Sequence, residues 1–213
     1  MIKKEYVASY IRSLYPTHEG ILKELEVYAL ENHVPIVERE VAQLLKVLLK
    51  IYKPKRILEI GTAIGYSAIL MASSTEDSCT IETIERRLDM VDLAKENIKK
   101  AKYDHRIRIH YGEAESILKD LEDKYDFIFL DAAKGQYLDF FNDCVKLLNI
   151  GGIIVSDNVL YKGMVASDKL VVRRKKTIVK RLRQYLKYIN ELENFETCVI
   201  PIGDGVSITY REE

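Results

Sequence analysis

The stretch Arg56-Ile57-Leu58-Glu59-Ile60-Gly61-Thr62-Ala63-Ile64-Gly65-Tyr66-Ser67 constrains the fold of this 213-residue chain more than any other. Ile57, Leu58 and Ile60 form a short apolar run, the pattern of a strand covered on both faces. Gly61 and Gly65 then permit backbone torsions, and a close ligand approach, that a Cβ would obstruct. After Ser67 the pattern turns helical, with Ile69, Leu70 and Met71 available to pack on a sheet. Strand, glycine turn and helix in that order leave free backbone N–H groups at the mouth of an α/β crevice, where a small cofactor can sit. The spacing is G-x-x-x-G, not the G-x-G-x-x-G of dinucleotide binders. Glu85 ends the next strand-like run, Thr80-Ile81-Glu82-Thr83-Ile84, twenty positions after Gly65. A carboxylate there can accept hydrogen bonds from both hydroxyls of a ribose. Glycine turn and acid together describe a nucleoside cofactor without a diphosphate, and S-adenosylmethionine fits that description.

Before this stretch, three amphipathic helices are expected. Residues 1–15 carry Tyr6, Tyr10, Leu14 and Tyr15, and Pro16 stops them. Residues 18–32 carry Ile21, Leu22, Leu25, Tyr28 and Ala29 on one face. After Pro35, Val41, Leu44, Leu45, Leu48, Leu49 and Tyr52 recur at the helical period until Pro54. After it, helix and strand patterns alternate. Strands are expected near 56–60, 79–84, 106–110, 125–130, 151–156, 195–201 and 205–211. Helices are expected over 65–74, 87–101, 114–122, 135–148 and, as one long element, about 168–192. Such alternation predicts an α/β, doubly wound fold with a mostly parallel sheet. Gly203-Asp204-Gly205 predicts an antiparallel hairpin at the sheet edge. One domain is expected over 1–213, with N-terminal helices over 1–53 and the α/β core over 54–213.

Charge and cysteine content narrow the function classes. Thirty-three basic and thirty-three acidic residues balance, so no global field draws the chain to nucleic acid or membrane, although a local patch could. Cys79, Cys144 and Cys198 are few, odd in number and widely spaced, which indicates neither a zinc site nor a disulfide framework and suits a reducing cytoplasm. No signal peptide opens the chain and no apolar run is long enough to span a bilayer.

Two further strand ends carry candidate chemistry. Phe127-Ile128-Phe129-Leu130 runs into Asp131-Ala132-Ala133-Lys134, and Gly152-Ile153-Ile154-Val155-Ser156 runs into Asp157-Asn158. The carboxyl ends of parallel strands line the ligand crevice, so Asp131, Asp157 and Asn158 are expected to converge. Two carboxylates and an amide oxygen make a hard site suited to Mg²⁺, Ca²⁺ or Mn²⁺. Taken singly, each is more often a helix cap or turn residue. Together, on two adjacent strands beside a nucleoside site, they favour the metal. Lys134 is a surface lysine or a group that faces the metal and takes or steers a substrate proton. Gly112-Glu113-Ala114-Glu115 either contacts an adenine or simply starts a helix. His18, His33, His105 and His110 do not cluster in sequence and are given structural or surface roles. Arg173, Arg174, Lys175 and Lys176 open a basic run that continues through Lys180, Arg181 and Arg183. It is either a solvated helix face or a phosphate-holding rim.

These motifs, L-E-I-G-T-A-I-G-Y-S, T-I-E-R, F-L-D-A-A-K, S-D-N-V-L and P-I-G-D-G, resemble those of the cation-dependent class I O-methyltransferases, the catechol and caffeoyl-coenzyme A O-methyltransferase-like family. The resemblance runs from about Val34 to Tyr210. It implies a Rossmann-like, seven-stranded methyltransferase fold. It implies S-adenosylmethionine binding by Glu59, Gly61, Tyr66, Ser67 and Glu85, with Gly112, Glu113, Ala114 and Asp131 beside them. It implies a divalent cation, Mg²⁺ foremost, on Asp131, Asp157 and Asn158, and Lys134 as the catalytic lysine with Asp131. Within the family, Val34-Pro35-Ile36, the stretches 60–69, 131–137 and 157–166, and the basic residues 173–176 are similar to the bacterial tRNA 5-hydroxyuridine methyltransferases. A homodimer is a further implication.

The resulting expectation is methyl transfer to a hydroxyl of a vicinal dioxygen acceptor. Both catechol and 5-hydroxyuridine present two adjacent oxygens to a metal. The basic helix with Lys3, Lys4 and Arg12 points to RNA, a tRNA anticodon loop with its accessible wobble base. The alternatives are a small catechol or phenolic acceptor, and a non-catalytic S-adenosylmethionine- or RNA-binding module.

Overall fold

The computed structural model describes residues 5–213. Lys3 and Lys4 lie outside the described residues. Three helices come first: α1 (Glu5–Leu14), α2 (Gly20–Glu31) and α3 (Arg39–Tyr52). Lys53, in the left-handed region at φ 51°, ends α3 immediately before Pro54. The alternating part follows as β1 (Arg56–Ile60), α4 (Tyr66–Ser73), β2 (Thr80–Glu85), α5 (Leu88–Lys100), β3 (Ile107–Tyr111), α6 (Ala114–Asp120) and β4 (Tyr125–Leu130). It closes with α7 (Tyr137–Leu147), β5 (Leu148–Ser156), α8 (Lys176–Glu191), β6 (Phe195–Ile200) and β7 (Val206–Arg211).

The strands form one seven-stranded sheet in the order β3-β2-β1-β4-β5-β7-β6. The first five run parallel; β7 pairs antiparallel with both β5 and β6, so the expected edge hairpin is present. Side chains alternate across the sheet, as strand geometry requires. Ile57, Ile81, Phe127 and Phe129 face the layer built from α2, α3, α4 and α5. Leu58, Ile60, Ile128 and Leu130 face the layer that holds Phe141 of α7 and Leu182 and Tyr185 of α8. Cover on both faces explains why these strands read as apolar runs. Strand order reverses between β1 and β4, and a ligand crevice belongs at the carboxyl ends of the strands beside that reversal.

The long helix expected over 168–192 is broken. Asp168–Leu170 and Arg173–Lys175 are single 3-10 turns, and the regular helix starts at Lys176. Val171 and Val172 between them are extended. The reason lies in packing: the buried residues at helical spacing are Val179, Leu182, Tyr185 and Ile189, and nothing upstream of Lys176 continues that stripe. Among the described residues no helix is long and apolar enough to cross a membrane.

Arg106 joins the crossover to the sheet. Its side chain is almost fully buried. It donates to the carbonyls of Cys79 at 2.9 Å, Ala72 at 3.2 Å and Glu76 at 2.6 Å, and to Thr75 Oγ1 at 2.9 Å. The guanidinium thus satisfies carbonyls at the C-terminal end of α4 and in the turn leading to β2, where positive charge suits the helix dipole. Arg106→Met is expected to lower unfolding free energy by about 3 kcal/mol, because several buried acceptors lose their donors. Arg106→Lys, with three donors on a compact head, recovers part of that. Urea denaturation of the two variants measures the difference.

Candidate active site

A cavity of about 750 Å³ opens at the carboxyl ends of β1, β2 and β4. Its floor is the turn after β1. Gly61 has φ +108°, and a Cβ there would lie 2.2 Å from the Asp131 carbonyl oxygen. The Gly61 N–H donates to the Ile84 carbonyl at 3.0 Å and the Asp131 N–H to the Ile60 carbonyl at 3.0 Å, so the turn is wedged between β2 and β4. Gly65, at φ +84°, then caps the start of α4 and brings Tyr66 and Ser67 to the wall. Glu85 ties the second turn to the first. Its Oε2 accepts from the Ala63 N–H and its Oε1 from the Arg87 N–H, each at 2.9 Å. Both oxygens keep lone pairs for a ligand, in a fixed orientation. Gly112, Glu113 and Ala114, after β3, close this side.

Tyr66 links the turn to the N-terminal helices. Its hydroxyl donates to Glu26 Oε1 at 3.1 Å and lies 3.2 Å from His18 Nδ1, which itself is 2.7 Å from the same Glu26 oxygen. Burial and the Glu26 charge hold the phenol protonated well past its usual range. Glu59 is fully buried one layer behind the cavity wall. Its Oε2 accepts from Thr83 Oγ1 at 2.6 Å, while Oε1 has no hydrogen-bond partner of standard geometry. Burial, with the charges of Asp131 and Glu85, pushes the Glu59 carboxyl up to about 7, against the pull of the Ser67 and Thr83 hydroxyls.

The opposite end of the cavity is acidic with one lysine. Asp131 and Asn158 reach the wall, and Asp157 lies buried behind them. The Asp157 N–H donates to the Leu130 carbonyl at 3.0 Å, its carbonyl accepts from the Tyr137 hydroxyl at 2.8 Å, and its Oδ1 accepts from the Asn158 N–H at 2.7 Å. Burial first, then the neighbouring Asp131 charge, pushes the Asp157 carboxyl up to about 7. Lys134 sits in the 3-10 turn after β4, its Nζ 3.3 Å from Asp131 Oδ1. Two adjacent carboxylates and an amide, with a deficit of positive charge, are a donor set that a hard divalent cation fits. Among the described residues no group of three His, Cys, Asp or Glu side chains gathers as a metal cage. An all-oxygen site of two acids and an amide leaves positions open for other ligands.

Gly61, Tyr66, Ser67, Glu85, Gly112, Glu113, Ala114, Asp131, Lys134 and Asn158 therefore share one cavity, with Glu59 and Asp157 directly behind it. Arg173, Arg174, Lys175 and Lys176 do not line it. Lys175 of this run stands near its mouth, its Nζ 5.7 Å over the Tyr161 ring, next to the wall residue Lys162. On the other flank Arg181 Nη1 donates to the Gly135 carbonyl at 3.0 Å, beside Lys134. Arg12 contributes no open charge to this rim, since it pairs with Glu38 at 3.0 Å and Glu40 at 2.9 Å. Sequence reasoning missed the segment joining α2 to α3, which puts Asn32, His33 and residues 34–38 on the outer wall. His33, given a structural or surface role, is exposed and also lines that wall. Lys162 and Asp204 were missed as well. The Pro35 break and the Val34-Pro35-Ile36 resemblance were the signals for the first of these, and Gly203-Asp204-Gly205, read as a turn and as part of P-I-G-D-G but given no site role, for the last.

The model of a protein family described as O-methyltransferase matches residues 12–212. A caffeoyl-CoA O-methyltransferase of Nicotiana tabacum is 30% identical, over 93% of this chain and 87% of that protein. An O-methyltransferase of Bacillus cereus, solved in complex with SAH, matches at a TM-score of 0.85 and 25% identity, covering 97% of each chain. An SAH-bound methyltransferase of Podospora anserina matches at a TM-score of 0.89 and 26% identity, covering 98% of this chain and 95% of that one. The chain belongs to the O-methyltransferase family.

Proposed function

We propose that this O-methyltransferase moves the methyl group of S-adenosylmethionine to a hydroxyl of an acceptor with two vicinal oxygens, and that the acceptor is 5-hydroxyuridine in a tRNA anticodon loop. The observation that carries the reaction is the single cavity with a glycine cradle and Glu85 at one end and Asp131, Asn158 and Lys134 at the other. The SAH-bound relatives from Bacillus cereus and Podospora anserina support the donor.

In this reading the Gly61 turn and the start of α4 take the methionine part of the donor, where only a glycine backbone can approach so closely. Glu85 accepts from the ribose hydroxyls, and Gly112–Ala114 cover the adenine. Asp131, Asp157 and Asn158 would hold the divalent cation. When bound, such a cation supplies Lewis acidity that favours the ionised form of a vicinal hydroxyl. Lys134 takes or holds the proton of that hydroxyl at Nζ, oriented by Asp131. The residues of the outer wall, 32–38, exclude water from the ordered pair of reactants. Holding both in line contributes about 7–11 kcal/mol towards the barrier of such a transfer.

The chemistry of the cavity serves catechol and 5-hydroxyuridine alike. RNA is favoured by Arg173, Arg174 and Lys176, exposed neighbours in the chain of Lys175 with no carboxylate within 4.0 Å among the described residues. Such cations suit a phosphate backbone. A small phenolic acceptor is the second reading, and the tobacco relative supports it. Transfer of labelled methyl from S-adenosylmethionine with Mg²⁺ separates the two. The acceptors are tRNA from cells lacking the protein, the same tRNA with EDTA, and a catechol panel. Label at a 5-hydroxyuridine that EDTA abolishes is the expected result, and label in the catechols alone overturns the RNA acceptor.

A homodimer belongs to the same reading. Tyr10 and Leu14, one turn apart on α1, are 65% and 61% exposed, which supports burial against a second copy. Sedimentation at micromolar concentration is expected to give twice the chain mass, and Tyr10→Glu with Leu14→Glu the single mass.

A further inference from the structure

The P-I-G-D-G turn between β6 and β7 does more than close a hairpin. The loop after β5 holds four left-handed residues: Asn158 at φ 58°, Tyr161 at 44°, Lys162 at 55° and Gly163 at 77°. Three of the four carry a Cβ, so the conformation is strained and must be held from outside. The hairpin turn holds it. The Val159 N–H donates to the Gly205 carbonyl at 2.9 Å, the Leu160 N–H to the Asp204 carbonyl at 3.0 Å, and the Lys162 N–H to the Asp204 carboxylate. Gly205 packs so closely that a Cβ would come 2.4 Å from Leu160 Cγ. Gly203 presses on α3 in the same way, 2.7 Å from Val41 Cγ2. The turn is thus fixed on one side and clasps the strained loop on the other. Lys162, Asp204 and Asn158 all line the cavity at its acidic end. Among the described residues the Lys162 ammonium has no carboxylate within 4.0 Å.

We propose that Lys162 is the specificity-determining residue of the acceptor site, selecting acceptors that carry a negatively charged group in addition to the two vicinal oxygens, and that Asp204 is the positioning residue that holds it there. The inference rests on the proposed acceptor end of the cavity. Asp204 acts through the geometry of its hydrogen bond to the Lys162 backbone. A neutral amide that keeps one oxygen acceptor replaces it, and a methyl group does not. Lys162 is exposed at the cavity mouth, so its ammonium acts on an acceptor's charge as a fixed rim cation, with the strength of an exposed ion pair.

Two acceptor pairs that differ by one charged group test this: 5-hydroxyuridine 5′-monophosphate against 5-hydroxyuridine, and 3,4-dihydroxybenzoate against catechol. The readout is the ratio of kcat/KM, charged over neutral. Lys162→Gln is expected to lower that ratio about fivefold, the size of one lost exposed charged interaction of about 1 kcal/mol. Asp204→Ala is expected to do the same, with KM for the charged acceptor carrying the change, and Asp204→Asn to restore the ratio. Calorimetric binding of the four compounds to the SAH-loaded protein repeats the comparison without turnover. A wild-type protein that methylates none of them refutes the acceptor reading, while the binding ratio still decides Lys162. Ratios unchanged by Lys162→Gln overturn the selection. Loss of the ratio in Asp204→Asn as well as in Asp204→Ala overturns positioning by geometry. If Asp204→Ala does not fold, Asp204→Asn and Lys162→Gln carry the decision.

Discussion

Gly61→Ala is expected to abolish methyl transfer, to weaken SAH binding more than about 100-fold, and to lower unfolding free energy by about 3–5 kcal/mol, since strain and overpacking add. Two costs meet at this position. At φ +108° a residue with a Cβ is strained in any surroundings. The Cβ would also lie 2.2 Å from the carbonyl oxygen and 3.0 Å from the carbonyl carbon of Asp131. Both atoms are backbone, so no side chain can swing away. Relief requires separating β1 from β4 just beyond the Ile60–Leu130 pair, and that moves Asp131, Lys134 and the cradle together. Gly65→Ala is the control. There the added Cβ meets Ala94 and Ile98 at 3.5 Å, an ordinary contact, and only the φ of +84° is costly. About 1 kcal/mol and a smaller loss of SAH affinity are expected. Chemical denaturation and calorimetry with SAH measure both variants. Equal, mild effects at the two glycines would show that the wedge against Asp131 is not what shapes the cradle.

Much of this architecture was legible because local pattern and global fold agree. The apolar runs at 57–60 and 127–130 are strands covered on both faces, and a run of that kind fits few other places. Residues just past the carboxyl ends of such strands are gathered by topology alone, which is why Gly61, Glu85, Asp131 and Asn158 were found without any contact information. What failed was whatever depends on distant elements. The stretch 168–175 continues the basic composition of α8 but has no face to bury, so composition overstated the helix. Residues 32–38 form a wall through a connector that carries no catalytic motif. Asp204 reaches the site only because β7 inserts between β5 and β6, an order that a hairpin signal does not reveal. Depth was also invisible: nothing in the sequence separates Asp131 on the wall from Asp157 behind it.

That depth gives Asp157→Asn opposite effects on stability and activity. The wild-type carboxyl is pushed from its ordinary value near 3.8 up to about 7 by burial and by Asp131. Below about pH 4 the group is protonated folded or unfolded, and it costs the fold nothing. Between about pH 4 and pH 7 the unfolded chain releases the proton while the folded chain keeps it, so stability falls as pH rises. Above about pH 7 the group is ionised in both states and the full penalty stands. Glu59, pushed from 4.5 up to about 7, adds a fall of the same sign over the same window. The metal-free wild type is therefore expected to lose melting temperature from pH 5 to pH 8. Asp157→Asn removes one of the two contributions, and at pH 8 it is expected to be more stable than wild type by about 2 kcal/mol. That lies below the ceiling of about 1.4 kcal/mol for each tenfold change in proton affinity between the folded and unfolded chain. Its methyl transfer is expected to fall at least about 1,000-fold, because the amide lacks the charge that the cation site needs. Millimolar Mg²⁺ is expected to raise the melting temperature of the wild type at pH 8, with EDTA reversing it, and to leave Asp157→Asn unmoved. Differential scanning fluorimetry across pH, with and without Mg²⁺, reads all of this. A variant less stable than wild type at pH 8 without metal would mean that the Asp157 charge is already compensated inside the protein, with Lys134 as the compensating group.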